Sequence, residues 1–185
     1  FKKKFKNIGD ALEEISQNGV EVYFIQGNHE FFLDSIKWKG VRFIKKKDFK
    51  MTLDSRNKVI LAHGDLLGDS LFYKIYYSFV HSSFIKYMTY LLPASLLDRF
   101  CLKISELSRK RSAGTKIPHK KILHRLIMWV KNENYKQAIV GHFHVPYNYL
   151  CPKSDIRIMC LDSWDKPSFL AYEDNNFKRV YLKDL

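Results

Sequence analysis

The pattern of apolar and polar positions predicts short buried strands that each stop at a polar cluster containing glycine. Brief, fully apolar runs bounded by such turn residues are typical of strands covered on both faces. We expect three strands of this kind, Val20–Ile25, Val59–Ala62 and residues 137–141, which run into Gly27-Asn28-His29-Glu30, His63-Gly64-Asp65 and Gly141-His142-Phe143-His144.

Helical periodicity appears between these strands. Residues 8–19 place Ile8, Leu12 and Ile15 on one face and stop at an Asn-Gly pair, and residues 118–133 carry an apolar stripe after a proline. Three further strands are expected near the end of the chain, within RIMCLDSW, SFLAYED and FKRVYL. Helices alternating with apolar strands predict a layered α/β domain, in which sites form at the carboxyl ends of the strands.

Residues 69–110 do not follow this alternation and predict a helical insertion after the second strand. The insertion contains three amphipathic segments, about 70–80, 83–91 and 95–108, and Pro93 separates the last two. Aromatic side chains crowd the first two segments. Two interpretations are open: an ordinary helical layer of the core, or a cap whose apolar face receives a greasy substrate or a bilayer surface.

Composition narrows the classes of protein. With 185 residues, of which 46% are hydrophobic, the chain is long enough for one domain with a sizeable core. Its net charge of +13 suggests an anionic partner such as a phosphorylated molecule or an acidic membrane surface. The lysines are scattered along the chain, so we expect no nucleic-acid partner. Three cysteines without a CxxC motif indicate neither a disulfide framework nor a zinc ribbon.

The polar clusters carry side chains that suit divalent metals. If the strands are parallel neighbours, their loops open on one edge of a sheet. The Asn28 oxygen and the imidazoles of His63, His142 and His144 would form a mixed set of ligands there, suited to Mn, Fe, Zn or Ni. In an extended segment, positions 142 and 144 point to the same side. For each cluster taken alone, a polar strand end with solvated side chains is the alternative.

The motifs GNH(E/D), HGD and GHxH, in this order, resemble the C-terminal three of the five motifs of calcineurin-like metallophosphoesterases. The resemblance implies a layered β-sandwich flanked by helices, with two divalent metal ions bridged by an aspartate. It implies Asn28, His63 and His142 as ligands of one metal and His144 as a ligand of the other. His29 would be a catalytic residue beside the phosphate oxygens.

The family's first two motifs, DxH and GD, would supply the bridging aspartate and most ligands of the first metal. Nothing before Asn28 matches them. We expect them upstream of Phe1, so that residues 1–185 form the later part of a single metallophosphoesterase domain. A chain that began at Phe1 would be expected to bind metal poorly.

The stretches HGDLLGDSLFYKIYYSFV, LLPASLLDRF and SRKRSAGTK narrow the resemblance. They are similar to the UDP-2,3-diacylglucosamine pyrophosphohydrolases of lipid A synthesis, which release UMP and 2,3-diacylglucosamine 1-phosphate. The resemblance implies manganese, a UDP-linked glycolipid substrate and a cytoplasmic location, peripheral on the inner face of the inner membrane. Many members of this subfamily carry arginine where His29 stands. The residues expected to contact substrate are Phe84, Tyr87, Arg109, Arg111, Ser112 and Lys116.

Alternatives accompany these expectations. The same chemistry could act on a soluble phosphoester or nucleotide, or the fold could serve as a non-catalytic scaffold. The basic turn 108–116 could be a solvated loop, and Asp65 could be a turn residue instead of a partner of a metal-binding imidazole. The remaining polar residues of note are expected to close a strand (Asp162 and Trp164) or to lie on the surface (His81, His119 and His124).

Overall fold

The structure is a computed structural model that arranges nine strands of the described chain in three sheets. It describes residues 6–28, 33, 36–55, 57–67, 71–93, 95–96, 99, 102–103, 106, 120–163 and 165–184. The elements in chain order are α1 Lys6–Gln17, β1 Val22–Ile25, β2 Val41–Ile44, β3 Phe49–Thr52, β4 Lys58–Ala62, α2 Leu71–Val80, α3 Ser83–Leu91, α4 Lys120–Asn132, β5 Gln137–Val140, β6 Tyr147–Cys151, β7 Ile156–Cys160, β8 Ser168–Glu173 and β9 Asn176–Tyr181, with short 3-10 helices at Asp65–Leu67 and Leu182–Asp184.

A five-stranded sheet with the order β3-β4-β5-β7-β6 forms the centre of the fold. The three inner strands β4, β5 and β7 are parallel, and each edge strand pairs antiparallel with its neighbour. The inner strands are the apolar runs of the sequence, because a parallel strand between two covered faces has no polar side.

Both faces of this sheet are covered. On one face Ile60, Val140 and Ile158 pack against Leu126 and Val130 of α4. On the other face lie Val59, Ile139 and Met159, together with side chains of the β8–β9 hairpin. Alternate residues of one strand therefore belong to different layers, as the period of two in a strand requires. This layered arrangement confirms the predicted α/β class.

The parallel pair β1–β2 forms a separate two-stranded sheet. Tyr23 of this pair contacts Phe49 of β3, with ring centroids 4.7 Å apart. Phe24, Trp38 and Phe43 form an aromatic cluster with centroid separations of 5.6 to 6.0 Å. The sequence analysis considered the strand before Asn28 as a parallel neighbour of the other two apolar strands. In the structure this strand, β1, pairs with β2 in a separate sheet and is not hydrogen-bonded to β4.

Helices α2 and α3, called here the helical hairpin, occupy the first part of the predicted insertion. Ser82 accepts the amide of Ile85 and begins α3, and Leu92 ends it with an extended backbone before Pro93. Beyond it, residues 95–96, 99, 102–103 and 106 are helical. No helix among the described residues has both the length and the apolar character needed to cross a bilayer.

Most elements follow the sequence prediction, and three strands do not. The helix 8–19 begins at Lys6, and the helix 118–133 and the three apolar strands agree within a few residues. The sequence predicted no strand at β2, β3 or β6, and β2 and β3 lie in a basic stretch of the chain. In β3 the exposed Lys50 and Thr52 alternate with half-buried apolar residues. The exposed Arg42 of β2 and Asn148 of β6 likewise interrupt the apolar runs of their strands.

The central position of β7 leads to a stability prediction. Ile158 is fully buried between α4 and the sheet, so Ile158→Val should lower the free energy of unfolding by about 0.5–1.5 kcal/mol. Urea denaturation monitored by circular dichroism measures this. Leu150→Ala is the matched control, because Leu150 is 54% exposed on the edge strand β6 and its loss should change stability by less than about 0.5 kcal/mol. Equal effects of the two substitutions would contradict the arrangement of the sheet.

Candidate metal centre

The carboxyl ends of β4 and β5 bring two of the predicted histidines together. Ala62 pairs with Val140 at the end of this parallel ladder, and the amide of Gly141 donates to the Ala62 carbonyl at 3.3 Å. His63 and His142 follow directly, and their ring centroids lie 5.3 Å apart. The condition that the strands be parallel neighbours with loops on one sheet edge therefore holds for β4 and β5.

Asn28 reaches the same place from the separate β1–β2 sheet. Its side-chain oxygen Oδ1 lies 2.8 Å from Nε2 of His63. Both side chains are half-buried, as is His142. The amide oxygen and the imidazole nitrogen that the motifs assign to one metal thus point toward each other, although their strands belong to different sheets.

The backbone after β5 departs from the extended form on which the sequence argument relied. The strand ends at Val140, and His142 and His144 have φ angles of 64° and 54°. The left-handed region is uncommon for residues other than glycine and is found disproportionately at functional sites. His144 therefore does not follow His142 by simple strand alternation, and its side chain is exposed.

Two glycines let the loops approach. Gly64 has a φ of +109°, a conformation that other residues rarely adopt, and a Cβ there would lie 3.5 Å from Cβ of His142. A Cβ on Gly141 would lie 3.4 Å from the carbonyl oxygen of His63. Each loop therefore carries a glycine within van der Waals range of the other loop, and at Gly64 the positive φ is what favours glycine.

Asp65 is a buried charged residue next to the centre. It is 8% exposed and begins the short 3-10 helix that follows Gly64. Its negative charge acts on Tyr77 of α2: burial, and after it the charge of Asp65, raises the pKa of the Tyr77 phenol. Asp65 is therefore both a turn residue and a carboxylate that faces the helical hairpin.

Asp162 lies at the same sheet edge as His142. The amide of Leu161 donates to the Val140 carbonyl at 2.8 Å, which continues the β5–β7 ladder up to this point. Oδ1 of Asp162 accepts the amide of Ser163 at 2.8 Å. Its Oδ2 is buried and has no hydrogen-bond partner within the described part of the chain. A carboxylate oxygen of this kind suits a site that takes a cation.

These donors fit part of a metal site. One amide oxygen and two imidazoles form part of a mixed N/O set of the kind that suits Mn, Fe, Zn or Ni. The described residues do not contain three His, Cys, Asp or Glu side chains grouped closely enough to hold an ion. Asn28, His63 and His142 would hold the cation from one side, and further ligands would be needed to complete it.

Several predicted site residues lie outside the described residues. They are His29, Arg109, Arg111, Ser112 and Lys116, together with Trp164 and His119. Phe84 and Tyr87 are described and lie on α3, and each is 62% exposed. His124 is exposed on α4, as expected.

The expectation that His81 lies on the surface was wrong. Its side chain is half-buried at the end of α2, and its Nε2 lies 3.2 Å from Nε2 of Gln26. No local pattern signals this contact, because the two residues are 55 positions apart and neither belongs to a recognised motif.

Most of the chain is similar in sequence to curated proteins. No family model matches the chain. Three curated relatives, from Photorhabdus laumondii, Blochmanniella pennsylvanica and Aliivibrio fischeri, are 29%, 28% and 25% identical to it over 81%, 86% and 90% of its length. With the three strand-end motifs, these matches support the calcineurin-like metallophosphoesterase family, as the sequence predicted.

All three relatives carry one name, UDP-2,3-diacylglucosamine hydrolase. The chain spans 63%, 66% and 71% of their respective lengths. A crystal structure of a predicted phosphoesterase from Streptococcus pneumoniae is 19% identical, with a TM-score of 0.45 over 94% of this chain and 82% of that one.

Proposed function

We propose that the protein is a metal-dependent hydrolase that cleaves the diphosphate of UDP-2,3-diacylglucosamine and releases UMP and 2,3-diacylglucosamine 1-phosphate. The observation that carries this proposal is the convergence of Asn28, His63 and His142 at one sheet edge, with Oδ1 of Asn28 2.8 Å from Nε2 of His63. The similarity to hydrolases of that name along most of the chain supports the choice of substrate.

The chain's own residues would bind the cation and orient the diphosphate. Asn28, His63 and His142 would hold one divalent ion, and His144 would hold a second, both being Mn²⁺ in this proposal. Bound there, such ions would act as Lewis acids toward the phosphoryl oxygens. His29 would donate a proton or a hydrogen bond to the oxygen that leaves.

Positive and apolar surfaces would bind the remaining parts of the substrate. Arginine guanidinium groups suit paired phosphate oxygens, and the basic turn would supply Arg109 and Arg111, with Ser112 and Lys116 for sugar or phosphate oxygens. Phe84 and Tyr87 lie three positions apart on α3 and are largely exposed. They would contact the acyl chains.

The exposed face of the hairpin also fits a peripheral location. Tyr90 and Leu91 extend it, with 73% and 60% of their side chains exposed. The net charge of +13 favours contact with anionic headgroups. The protein would then act in the cytoplasm, on the inner face of the inner membrane, where a diacylated substrate resides.

Product analysis tests the proposal. The full-length protein, as its gene encodes it, is incubated with UDP-2,3-diacylglucosamine in detergent micelles, and the products are followed by phosphorus NMR. We expect UMP and a sugar 1-phosphate, loss of turnover with a chelator, and recovery with Mn²⁺. Equal turnover of soluble phosphoesters would favour a broader phosphoesterase. Absence of hydrolysis of every phosphoester with Mn²⁺ present would favour a scaffold.

A further inference from the structure

His81 joins the helical hairpin to the end of β1. Its Nδ1 lies 2.9 Å from the carbonyl oxygen of Tyr77, one turn earlier on α2, and its Nε2 lies 3.2 Å from the amide nitrogen of Gln26. The imidazole also stacks on the Tyr77 ring at a centroid distance of 3.9 Å. The ring is therefore held on three sides and has little freedom to turn.

Gln26 connects this contact to the candidate metal centre. The backbone amide of Gln26 donates to the Ile44 carbonyl at 2.9 Å, which fixes the Gln26 backbone on the β1–β2 sheet. Two residues later Asn28 reaches His63, and Gly27 between them is buried. A displacement of the hairpin at His81 would therefore be transmitted to Gln26, two positions before the proposed metal ligand Asn28.

Tyr77, which stacks on His81, is influenced by a charge that follows β4. The negative charge of Asp65, two residues beyond His63, acts on its phenol. Since burial and this charge both disfavour the phenolate, Tyr77 stays neutral and keeps a hydroxyl hydrogen to donate.

We infer that His81 is a positioning residue that fixes the helical hairpin relative to the metal centre. Its ring contacts Gln26 and Tyr77, and neither of these is a proposed metal ligand or a residue of α3. This inference rests on the proposed function, in which the diphosphate lies at the centre and the acyl chains lie on the hairpin. A substrate held at both places requires a fixed spacing between them, whereas a small phosphodiester does not.

The hydrogen bonds of His81 indicate which substitutions would remove its contact with Gln26 and keep its local contact with Tyr77. A neutral ring that donates from Nδ1 to the Tyr77 carbonyl leaves Nε2 to accept an N–H of Gln26. His81→Asn retains a short amide that can donate to Tyr77 but does not reach Gln26. His81→Gln places an amide where Nε2 stood. Gln26→Leu removes the same contact from the other side.

We expect His81→Asn and Gln26→Leu each to lower kcat/KM for the diacylated UDP-sugar about three- to tenfold, the usual effect of one hydrogen bond. Hydrolysis of a small chromogenic phosphodiester and the affinity for Mn²⁺ should change by less than about twofold. The double variant should be no worse than either single one, and His81→Gln should recover most of the loss. His124→Asn, an exposed histidine on α4, is the matched control.

A second measurement does not depend on hydrolysis. Amide hydrogen exchange at residues 26–28 and in the last turn of α2 should become faster together in His81→Asn and Gln26→Leu, and should stay slow in His81→Gln. Coupled exchange in a protein that hydrolyses no UDP-lipid would support the link and reject the proposed function. Uncoupled exchange, additive effects of the two substitutions, or equal losses on both substrates would overturn the inference.

Discussion

We expect His142→Asn to lower hydrolysis of UDP-2,3-diacylglucosamine by more than about 100-fold and to weaken Mn²⁺ binding. Loss of a residue that merely supports a metal ligand commonly costs about 10–100-fold, and His142 is proposed to be a ligand itself. Asparagine is the right replacement because His142 has a φ of 64°, and asparagine tolerates the left-handed backbone better than most residues. The substitution therefore removes the imidazole without adding strain.

Steady-state kinetics and calorimetric titration with Mn²⁺ measure the two effects. His124→Asn again controls for removal of a histidine, and circular dichroism confirms that the fold is retained. His63→Asn should behave like His142→Asn, since the two rings lie 5.3 Å apart. A His142→Asn variant that kept more than about a tenth of the activity would mean that this imidazole does not bind the metal.

His144→Asn tests whether the exposed imidazole of His144 binds a metal ion. The resemblance assigns it to the other metal, so His144→Asn should also reduce turnover strongly. Its φ of 54° makes asparagine equally suitable there. Full activity would remove His144 from the ligand set and leave the left-handed backbone at that position to be explained by the turn alone.

The second large effect concerns the hairpin. Replacing Phe84 and Tyr87 together with glutamate should reduce kcat/KM for the diacylated substrate on the order of 50-fold. Acyl contact that buries about 100 Å² of aromatic surface contributes about 2.5 kcal/mol at roughly 25 cal/mol per Å². Both side chains are 62% exposed, so the substitutions should leave stability within about 0.5 kcal/mol. Turnover of a small phosphodiester should stay unchanged.

Ile8→Glu is the matched control, because Ile8 is an apolar residue of α1 with 52% of its side chain exposed. Flotation with anionic phospholipid vesicles gives a second readout, and the double variant should float less than the control. Equal losses on both substrates would indicate that these residues support the fold. Unchanged kinetics would mean that the face binds no acyl chain.

The parts of the fold that the sequence predicts are those where burial dictates residue type. β4, β5 and β7 lie between two covered faces, so their runs contain few polar residues, and β4 and β5 each run into a turn with glycine. The edge strands β3 and β6 and the outer pair β1–β2 have one open face. A charged residue such as Arg42 or Lys50 can lie on such an open face. It interrupts the apolar run from which a strand would be predicted.

The site is predictable only as far as its side chains come from motifs. Asn28, His63 and His142 each follow a strand, and the structure brings them together. The backbone of His142 could not be predicted, because a left-handed φ in a non-glycine residue depends on the packing of the loop against Gly64. The contact between His81 and Gln26 depends on tertiary structure alone.

The parallel pairing of β4 with β5 has a consequence for folding. Val59 must find Gln137, and the chain between them contains the whole helical hairpin and α4. Contacts between residues so distant in sequence form slowly, because the intervening loop must close first. His63 leaves the ribosome long before His142, so the two imidazoles of the proposed metal centre come together only after this pairing. Loop closure becomes more costly by only about 0.6 kcal/mol for each doubling of length, which leaves the inserted helices free to lengthen or shorten during evolution.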